Sequence, residues 1–490
     1  MILWKNGTIH TLKSPKDTHY QMATHQGLIV GFDEEINNLP FTQTVDLKGY
    51  HLYPGFVDAH LHLIGYGRYL EVVDLSQWQT KADVLKQVAT SLQKGATYFE
   101  GYFDQKITKQ DLNEISETKP LILKHNDYHS LTVNDFVLNT VGIKSESGFV
   151  TEADTETISQ HFLTASDEVV TERLIKAINK LYQYGITGGH SEDLSYYNGY
   201  NETVKIFEKV SQKYPFRTQL LIHHHVLDDF LKAKHQAFSG HPFLEFGPVK
   251  IYYDGTFSSE TALLHIPYQG KDHQGIRILA KQELETLMKK IRKHHLTVAV
   301  HVIGDLGLLE VAELFKKYPP QKGQKDRIIH ASLVCKKALK LLKTLPVTFD
   351  IQPQFITTDL PRIYPLFSRP PRYLYPFKTY LKKGFILSGS SDAPIEDPNP
   401  LLGIYAAVYR ESENQIHQKK ERLSRYEAIK LYTSGANIPT YHMNRGHLEK
   451  GYVADFTVFE KNLLTVPKHE FLKNTVKMTV IDEAIVFHNV

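Results

Sequence analysis

The sequence contains a single cysteine, Cys335, among its 490 residues. One cysteine excludes an internal disulfide and any zinc site built from several cysteines, and it is typical of proteins from reducing compartments. The chain also lacks a large excess of charge of either sign. Its 57 Lys and Arg residues nearly balance its 54 Asp and Glu residues, and the net charge is +3. Proteins that bind nucleic acid or membrane surfaces usually carry a clear basic excess, so we expect neither partner.

Long apolar runs and nucleotide-binding glycine motifs are absent as well. No stretch approaches the roughly 20 apolar residues that span a bilayer. Residues Met1–Gly7 lack the basic-then-apolar plan of a signal peptide, so we expect a cytoplasmic protein. Neither Gly-x-Gly-x-x-Gly nor Gly-x-x-x-x-Gly-Lys-Ser/Thr occurs, which argues against Rossmann and P-loop folds. The sequence leaves the oligomeric state open, and a homodimer is the default expectation.

Short strands separated by turns dominate both ends of the chain. Leu28–Phe32 and Thr44–Leu47 lie near the start, and Ala454–Phe459 and Val476–Ile481 lie near the end. All four are rich in the β-branched and aromatic residues that favour strands. We expect residues 1–53 and 443–490 to form one composite β-sandwich, with separate terminal hairpins as the alternative.

The middle of the chain, residues 54–442, alternates short apolar strands with amphipathic segments of helical length, such as Ala280–His294 and Leu306–Lys317. Eight such repeats are the number found in a closed parallel barrel, so we predict an α/β protein with a (β/α)8 TIM-type barrel. The segment from about residue 65 to residue 181 is too long for a single connection between a strand and a helix. We predict it as an insertion after the first strand. The predicted strands are Gly55–His62, Gly185–His190, Gln219–His224, Val249–Asp254, Thr297–His301, Arg327–His330, Val347–Gln352 and Phe385–Ser390.

Residues able to serve a metal site lie on or just after five of the predicted strands. His60 and His62 are two positions apart, so on a strand they would point the same way and could share one divalent ion. A single His-x-His is weak in a chain with 26 histidines, but active sites of such barrels draw residues from several strand ends. The other candidates are Lys250 in the fourth strand, His301 in the fifth, His330 ending the sixth and Asp392 following the eighth.

Six segments together resemble the amidohydrolase superfamily, in particular its branch of N-substituted formamide deformylase-like enzymes. They occur in the family's order and cover almost the whole chain. The segments are Pro54–His62, Lys250–Gly255 with the nearby Thr261–Ala262, His301–Asp305, Arg327–Ala331, Gly389–Pro394 and Gly446–Phe456.

The resemblance implies one or two divalent ions, with zinc expected, held by the five strand-end ligands His60, His62, His301, His330 and Asp392. In the family, a lysine at the position of Lys250 is often carboxylated, and its carbamate bridges two metals. The alternative is a plain lysine paired with a barrel carboxylate. Ile329 stands where the family commonly has Glu before the sixth-strand histidine.

The expected reaction is hydrolysis of a carbon–nitrogen bond in a small molecule, of the amide or formamide type and other than a peptide bond. Asp392 would take a proton from metal-activated water as general base and return it to the leaving amine as general acid. Two alternatives stay open: a metal-dependent esterase or other hydrolase of the same fold, and a non-catalytic relative that binds a small molecule.

Four more residues are candidates for the substrate pocket, each with a structural role as its alternative. His190 ends the second strand, and Asp254 lies close to Lys250 in sequence. His129 and Asn134 fall in the insertion, in a segment that resembles the family's substrate cap. His223–His225 also contains a His-x-His, and we predict that it does not bind metal.

Overall fold

The computed structural model describes residues 1–102, 106–125, 130–162, 165–413 and 415–489. The chain divides into two compact units. The larger unit comprises residues 1–66 and 174–490, and the smaller comprises residues 67–173.

Eight parallel strands form the barrel of the larger unit, and neighbouring strands follow chain order. At the closing edge, the backbone N–H of Asp392 donates to the carbonyl of His60, and that of His62 donates to Ala393, both at 2.8 Å. These bonds join the end of the first strand to the chain after the eighth, and the predicted (β/α)8 barrel is confirmed. The strands are Phe56–Leu61, Ile186–Ser191, Arg217–His223, Leu244–Tyr252, Val298–Val302, Asp326–His330, Val347–Ile351 and Ile386–Gly389.

Helices cover the barrel where the sequence shows amphipathic periodicity. The helix Lys281–Lys293 buries Leu284, Met288 and Ile291, which are spaced three or four residues apart and therefore share one face. None of the described helices has the length and apolar character needed to cross a bilayer. The helices outside the smaller unit, or crossing its borders, are Leu63–Tyr69, Asp167–Gln183, Tyr200–Ser211, Leu227–Lys232, Lys281–Lys293, Asp305–Lys317, Lys336–Leu342, Phe355–Thr358, Leu360–Ile363, Phe377–Lys382, Pro400–Tyr409, Arg425–Lys430 and Lys468–Phe471.

Two sheets at the chain ends form the sandwich of the larger unit. The pairing of His51–Pro54 with Phe456–Phe459 brings the two termini into one sheet. Trp4 and Phe456 meet edge to face, with ring centroids 4.7 Å apart, in the core between the sheets. The predicted composite sandwich is confirmed. One sheet has the order Leu28–Phe32, Met22–His25, Ile2–Lys5, Gln43–Asp46, and the other has the order Ala484–His488, Val476–Ile481, Phe456–Phe459, His51–Pro54, Thr8–His10, Thr18–His19.

The smaller unit is a mixed sheet with apolar clusters on both faces. Leu123 packs in one buried cluster and its neighbour Ile122 in the other, as alternate side chains of a covered strand do. Its strands are Val73–Asp74, Tyr98–Tyr102, Ile122–His125, Ser130–Val133 and Phe149–Thr151, and its helices are Lys81–Gln93, Lys109–Ile115, Asp135–Val141 and Glu152–Phe162.

A buried ion pair ties the barrel to the sandwich. Arg217, the first residue of the third barrel strand, donates from Nε at 2.7 Å and from Nη2 at 2.8 Å to the two carboxylate oxygens of Asp455. Their side chains are only 6% and 9% exposed. The carbonyl of Asp455 also accepts from the N–H of Gly55, which directly precedes the first barrel strand, at 2.9 Å. A bidentate pair of this kind fixes both direction and distance between the two layers.

Replacing Asp455 by Asn should destabilise the protein markedly, because it removes the bidentate counter-charge of buried Arg217 and leaves only the half-exposed Asp482, whose Oδ1 lies 3.4 Å from Nη2. Breaking a buried pair in this way costs about 3–5 kcal/mol. The urea midpoint of unfolding measures the loss. The matched control is Glu202→Gln, which disrupts an exposed pair with Lys205 and should cost about 0–1 kcal/mol. Equal shifts for the two variants would contradict a structural role for the buried pair.

Candidate metal centre

Three of the predicted residues converge where the first and eighth barrel strands meet. One ligand atom from each of His60, His62 and Asp392 lies within 4.8 Å of the other two. Asp392 Oδ1 is 3.2 Å from His60 Nε2 and 3.5 Å from His62 Nε2. The distances place two imidazole nitrogens and one carboxylate oxygen around a common point, which is the donor set that zinc accepts.

Hydrogen bonds hold one ring nitrogen in three of the four candidate histidines, His62, His301 and His330. His62 Nδ1 lies 2.6 Å from the backbone carbonyl of Glu192, and His330 Nδ1 lies 2.7 Å from Oε1 of Gln352. Since these oxygens accept, each Nδ1 carries a proton, and in the neutral form of each ring Nε2 is the nitrogen with a lone pair. In His301 the hydrogen-bonded nitrogen is instead Nε2, which lies 3.3 Å from the carbonyl of Gly255. Such outer partners orient metal ligands and tune their basicity.

His301 and His330 lie beside the three converging residues. Their ring centroids are 4.5 Å apart, and the His330 ring is 6.2 Å from that of His60. The two rings therefore stand close to, but outside, the tight group made by His60, His62 and Asp392.

Two of the five candidate ligands have unusual backbone geometry. Asp392 has φ +59° and His330 has φ +72°, in the left-handed region that residues other than glycine rarely adopt. For Asp392, the hydrogen bond from its N–H to the His60 carbonyl holds the conformation. Such strain is found mostly where surrounding structure imposes it at functional sites.

Lys250 is fully buried and reaches the same group. Its Nζ lies 3.0 Å from His60 Nε2 and 4.3 Å from the centre of the Tyr252 ring. Among the described residues, no carboxylate forms an ion pair with it within 4.0 Å. Burial lowers the pKa of its amine, which favours the neutral, nucleophilic form.

Burial and neighbouring charges set the protonation of the histidines. Burial, together with the charge of Lys250, lowers the pKa of His60 to about 3 and that of His301 to about 4. Both imidazoles are therefore neutral at pH 7, the form that binds a metal. Burial also lowers the pKa of His62, but Asp392 and Glu192 outweigh it and raise that pKa to about 9. A metal would have to displace this proton.

The carboxylate of Asp392 stays ionised. Burial raises its pKa, but the electrostatic interaction with His60 and the hydrogen bonds with His60 and His62 outweigh burial and hold the pKa well below the usual range. It can therefore act as a ligand or accept a proton.

The glutamate after the second strand was not predicted as a site residue. Glu192 is fully buried, and its Oε2 accepts from the hydroxyls of Tyr196 at 2.7 Å and Tyr252 at 3.0 Å. The same oxygen lies 3.8 Å from His62 Nδ1. Its sequence clue was its place two residues after His190, at a strand end.

Inside the barrel, a buried arginine joins four strands. Arg327 donates to Asp350 Oδ2 at 2.8 Å, Gln219 Oε1 at 2.9 Å, the Ala59 carbonyl at 2.7 Å and His190 Nδ1 at 2.9 Å. The structure thus places His190 in an interior network rather than beside His60 and His62.

Ile329 faces the same interior, two residues along the strand from Arg327. It packs with Leu221 and Ala299 in a small buried cluster. The glutamate common in the family at this position is therefore replaced here by an apolar layer.

The remaining pocket candidates occupy different places. Asp254 accepts backbone N–H groups of Leu263, Ile303 and Gly304 at 2.8–2.9 Å, which fixes two loops. Asn134 caps a helix of the smaller unit, where its side chain bonds to the backbone of four residues, Leu121, Val137, Ser116 and Lys119. His129 lies outside the described residues.

The histidine triplet has closely spaced ligand atoms but a restricting hydrogen bond. One ring nitrogen from each of His223, His224 and His225 lies within 4.8 Å of the other two. His223 Nδ1 accepts the N–H of His225 at 3.1 Å, so the proton of its neutral ring belongs on Nε2. That hydrogen bond occupies the Nδ1 lone pair of His223, and the absence of a metal at the triplet stays a prediction.

The sequence matches a known protein family and named relatives over most of its length. A model of the amidohydrolase family matches residues 43–487. The sequence is 34% identical, over 99% of both chains, to a protein of Bacillus subtilis named putative amidohydrolase YtcJ. It is 22% identical to N-substituted formamide deformylase of Arthrobacter pascens, over 93% of this chain and 92% of that one.

A solved structure has the same overall fold. It is an uncharacterized metal-dependent hydrolase from Pyrococcus horikoshii, with a TM-score of 0.84 and 25% sequence identity. The match covers 96% of this chain and 99% of the other.

Replacing Gln352 by Leu should weaken metal binding without unfolding the barrel. The change removes the acceptor that holds His330 Nδ1–H and so frees the ring to rotate. Losing an outer partner of this kind typically costs 10- to 100-fold in metal affinity, roughly. Competition with a chromogenic chelator measures it. Gln282→Leu, on the exposed face of helix Lys281–Lys293, is the control, and equal affinities for both variants would refute the role of Gln352.

Proposed function

Because the chain belongs to the amidohydrolase family and is a metal-dependent hydrolase, we propose that it cleaves a carbon–nitrogen bond of the amide or formamide type in a small molecule. The observation that carries the proposal is the convergence of His60, His62 and Asp392 at the barrel's closing edge. The similarity to N-substituted formamide deformylase supports the bond type.

The ligands we propose are the two first-strand histidines, His301, His330 and Asp392. Each histidine whose outer nitrogen donates to an oxygen offers the other nitrogen to a metal. Zinc suits a set of imidazoles with one carboxylate. When bound, a divalent ion activates water for attack and polarises a carbonyl group.

Asp392 has the second role in the proposal. Its low pKa keeps the carboxylate free to accept a proton from the attacking water. The same carboxyl group would then give that proton to the departing nitrogen, because an amide anion is a poor leaving group. Asp392 Oδ1 lies 3.2 Å from His60 Nε2 and 3.5 Å from His62 Nε2, so the proposed proton acceptor lies beside the proposed ligands.

Lys250 fits the carbamate that the family resemblance implies. Its neutral Nζ would add to the carbon of CO2, forming an N–C bond and releasing one proton. The carbamate would offer two oxygens to a metal, where the amine offers none once it is protonated. Full burial and the lack of a paired carboxylate among the described residues support this proposal over a plain lysine in an ion pair.

The double variant His60→Ala/His62→Ala should lose both bound metal and hydrolysis, because it removes two nitrogens from the proposed centre. Elemental mass spectrometry on protein purified without chelator measures the metal. Formamides, N-acyl amino acids and aryl esters form the substrate panel. His469→Ala, whose side chain is 76% exposed, is the control. Full hydrolysis by the double variant would refute the proposal, and hydrolysis of esters alone by the unmodified protein would refute the bond type.

Asp392→Asn, reconstituted with zinc, should reduce kcat by roughly 10²- to 10⁴-fold, the usual contribution of general acid–base catalysis. The amide keeps an oxygen ligand but accepts a proton poorly. Metal content must be measured in the same sample, so that lost metal is not mistaken for lost proton transfer. A metal-loaded variant with unchanged kcat would show that another group moves the proton.

A further inference from the structure

A second group of ligand-type side chains lies apart from the candidate metal centre and shares no residue with it. His265, Asp305 and Cys335 each offer one ligand atom within 4.8 Å of the other two. We call them the His–Asp–Cys cluster. They come from the connections after the fourth, fifth and sixth barrel strands, so three separate segments bring them together.

The cluster has a fixed histidine. His265 Nδ1 lies 2.9 Å from Asp305 Oδ2, and the backbone N–H of His265 donates to Asp305 Oδ1 at 3.1 Å. Asp305 is itself the first residue of the helix Asp305–Lys317, so its carboxylate is anchored to a rigid element. The imidazole therefore has a defined position before any ligand binds.

The chain's single cysteine completes the cluster. Cys335 Sγ accepts from the backbone N–H of Ala338 at 3.4 Å, which fixes the position of the sulfur. Its side chain is partly exposed. The His–Asp pair ties two loops, and the thiol caps the helix Lys336–Leu342, so the feature that points to a metal is that all three ligand atoms lie within 4.8 Å of one another.

Nitrogen, oxygen and sulfur donors together form a zinc-type set. Thiolate ligands favour zinc over magnesium or calcium, which prefer oxygen. One thiolate and one carboxylate carry two negative charges, which balance a divalent cation. Three protein ligands leave one position open, as in zinc sites that take water or another molecule.

A cavity of about 490 Å³ opens beside the cluster. Asp305 lines it directly, as do Leu264 next to His265 and Val334 next to Cys335. Arg369 and Arg372 line the same cavity. Two guanidinium groups near an open coordination position suit a small anion such as a carboxylate.

We propose that His265, Asp305 and Cys335 bind one zinc ion, whose open position takes a small carboxylate in the adjoining cavity. Binding forms bonds from the metal to sulfur, nitrogen and oxygen, and the thiol proton of Cys335 leaves to solvent. This site is independent of the hydrolytic centre.

Cobalt(II) substitution tests the site, since thiolate coordination to cobalt gives a charge-transfer band in the near ultraviolet. The chain has one cysteine, so such a band can arise only from Cys335. We expect the band in the metal-depleted full-length protein titrated with cobalt. Cys335→Ser should abolish it and remove roughly one cobalt per chain, as expected for one lost site.

Two variants separate this site from the hydrolytic one. His60→Ala/His62→Ala should keep the band even if catalysis is lost, so failure of either proposal can be recognised alone. His265→Gln should abolish it, whereas His273→Gln, at a 49% exposed histidine nearby, should not. Absence of the band in the unmodified protein at saturating cobalt would overturn the proposal, as would equal cobalt content in Cys335→Ser.

Two further measurements do not depend on the variants folding. Zinc should slow alkylation of the unmodified protein's thiol by roughly tenfold or more, because coordination removes the free thiolate. An unchanged rate would also overturn the site. Acetate should shift the cobalt band, and an unchanged spectrum at saturating acetate would exclude the carboxylate as the ligand.

Discussion

The closing edge of the barrel is the constraint on which the site depends. The buried carboxylate of Asp58 accepts from the N–H of His60 at 3.1 Å, and from the N–H and hydroxyl of Ser391 at 3.1 and 2.6 Å. It thereby fixes the end of the first strand against the chain that follows the eighth. His60 and His62 lie on one side of this junction and Asp392 on the other, so no metal-binding geometry exists until the barrel is closed.

The strand-end residues could be predicted because alternation and barrel topology are local and general rules. His60 and His62 share a face since they are two residues apart, and the predicted helix Leu306–Lys317 differs from the observed Asp305–Lys317 by one residue. The placement of the five candidate ligands as ligands, and the domain borders, stay predictions.

The groups that surround those residues could not be predicted. Gln352 reaches His330 from the next strand, and Arg327 contacts four strands at once. Such contacts depend on barrel stagger, which the sequence does not state. Glu192 was missed because its contacts with Tyr196, Tyr252 and His62 join separate segments of the chain, which the sequence does not show. Asp254, by contrast, was predicted as a pocket candidate. In the structure its carboxylate accepts three backbone N–H groups and so orders two loops.

The paired strands His51–Pro54 and Phe456–Phe459 are separated in the sequence by most of the chain. During synthesis, the sandwich strand His51–Pro54 leaves the ribosome early, yet its partner Phe456–Phe459 arrives almost last. Contacts between such distant segments form slowly, since a very long loop must close first. The nascent protein therefore holds an exposed strand edge through most of translation, a period in which chaperone binding would matter more than for proteins with local pairing.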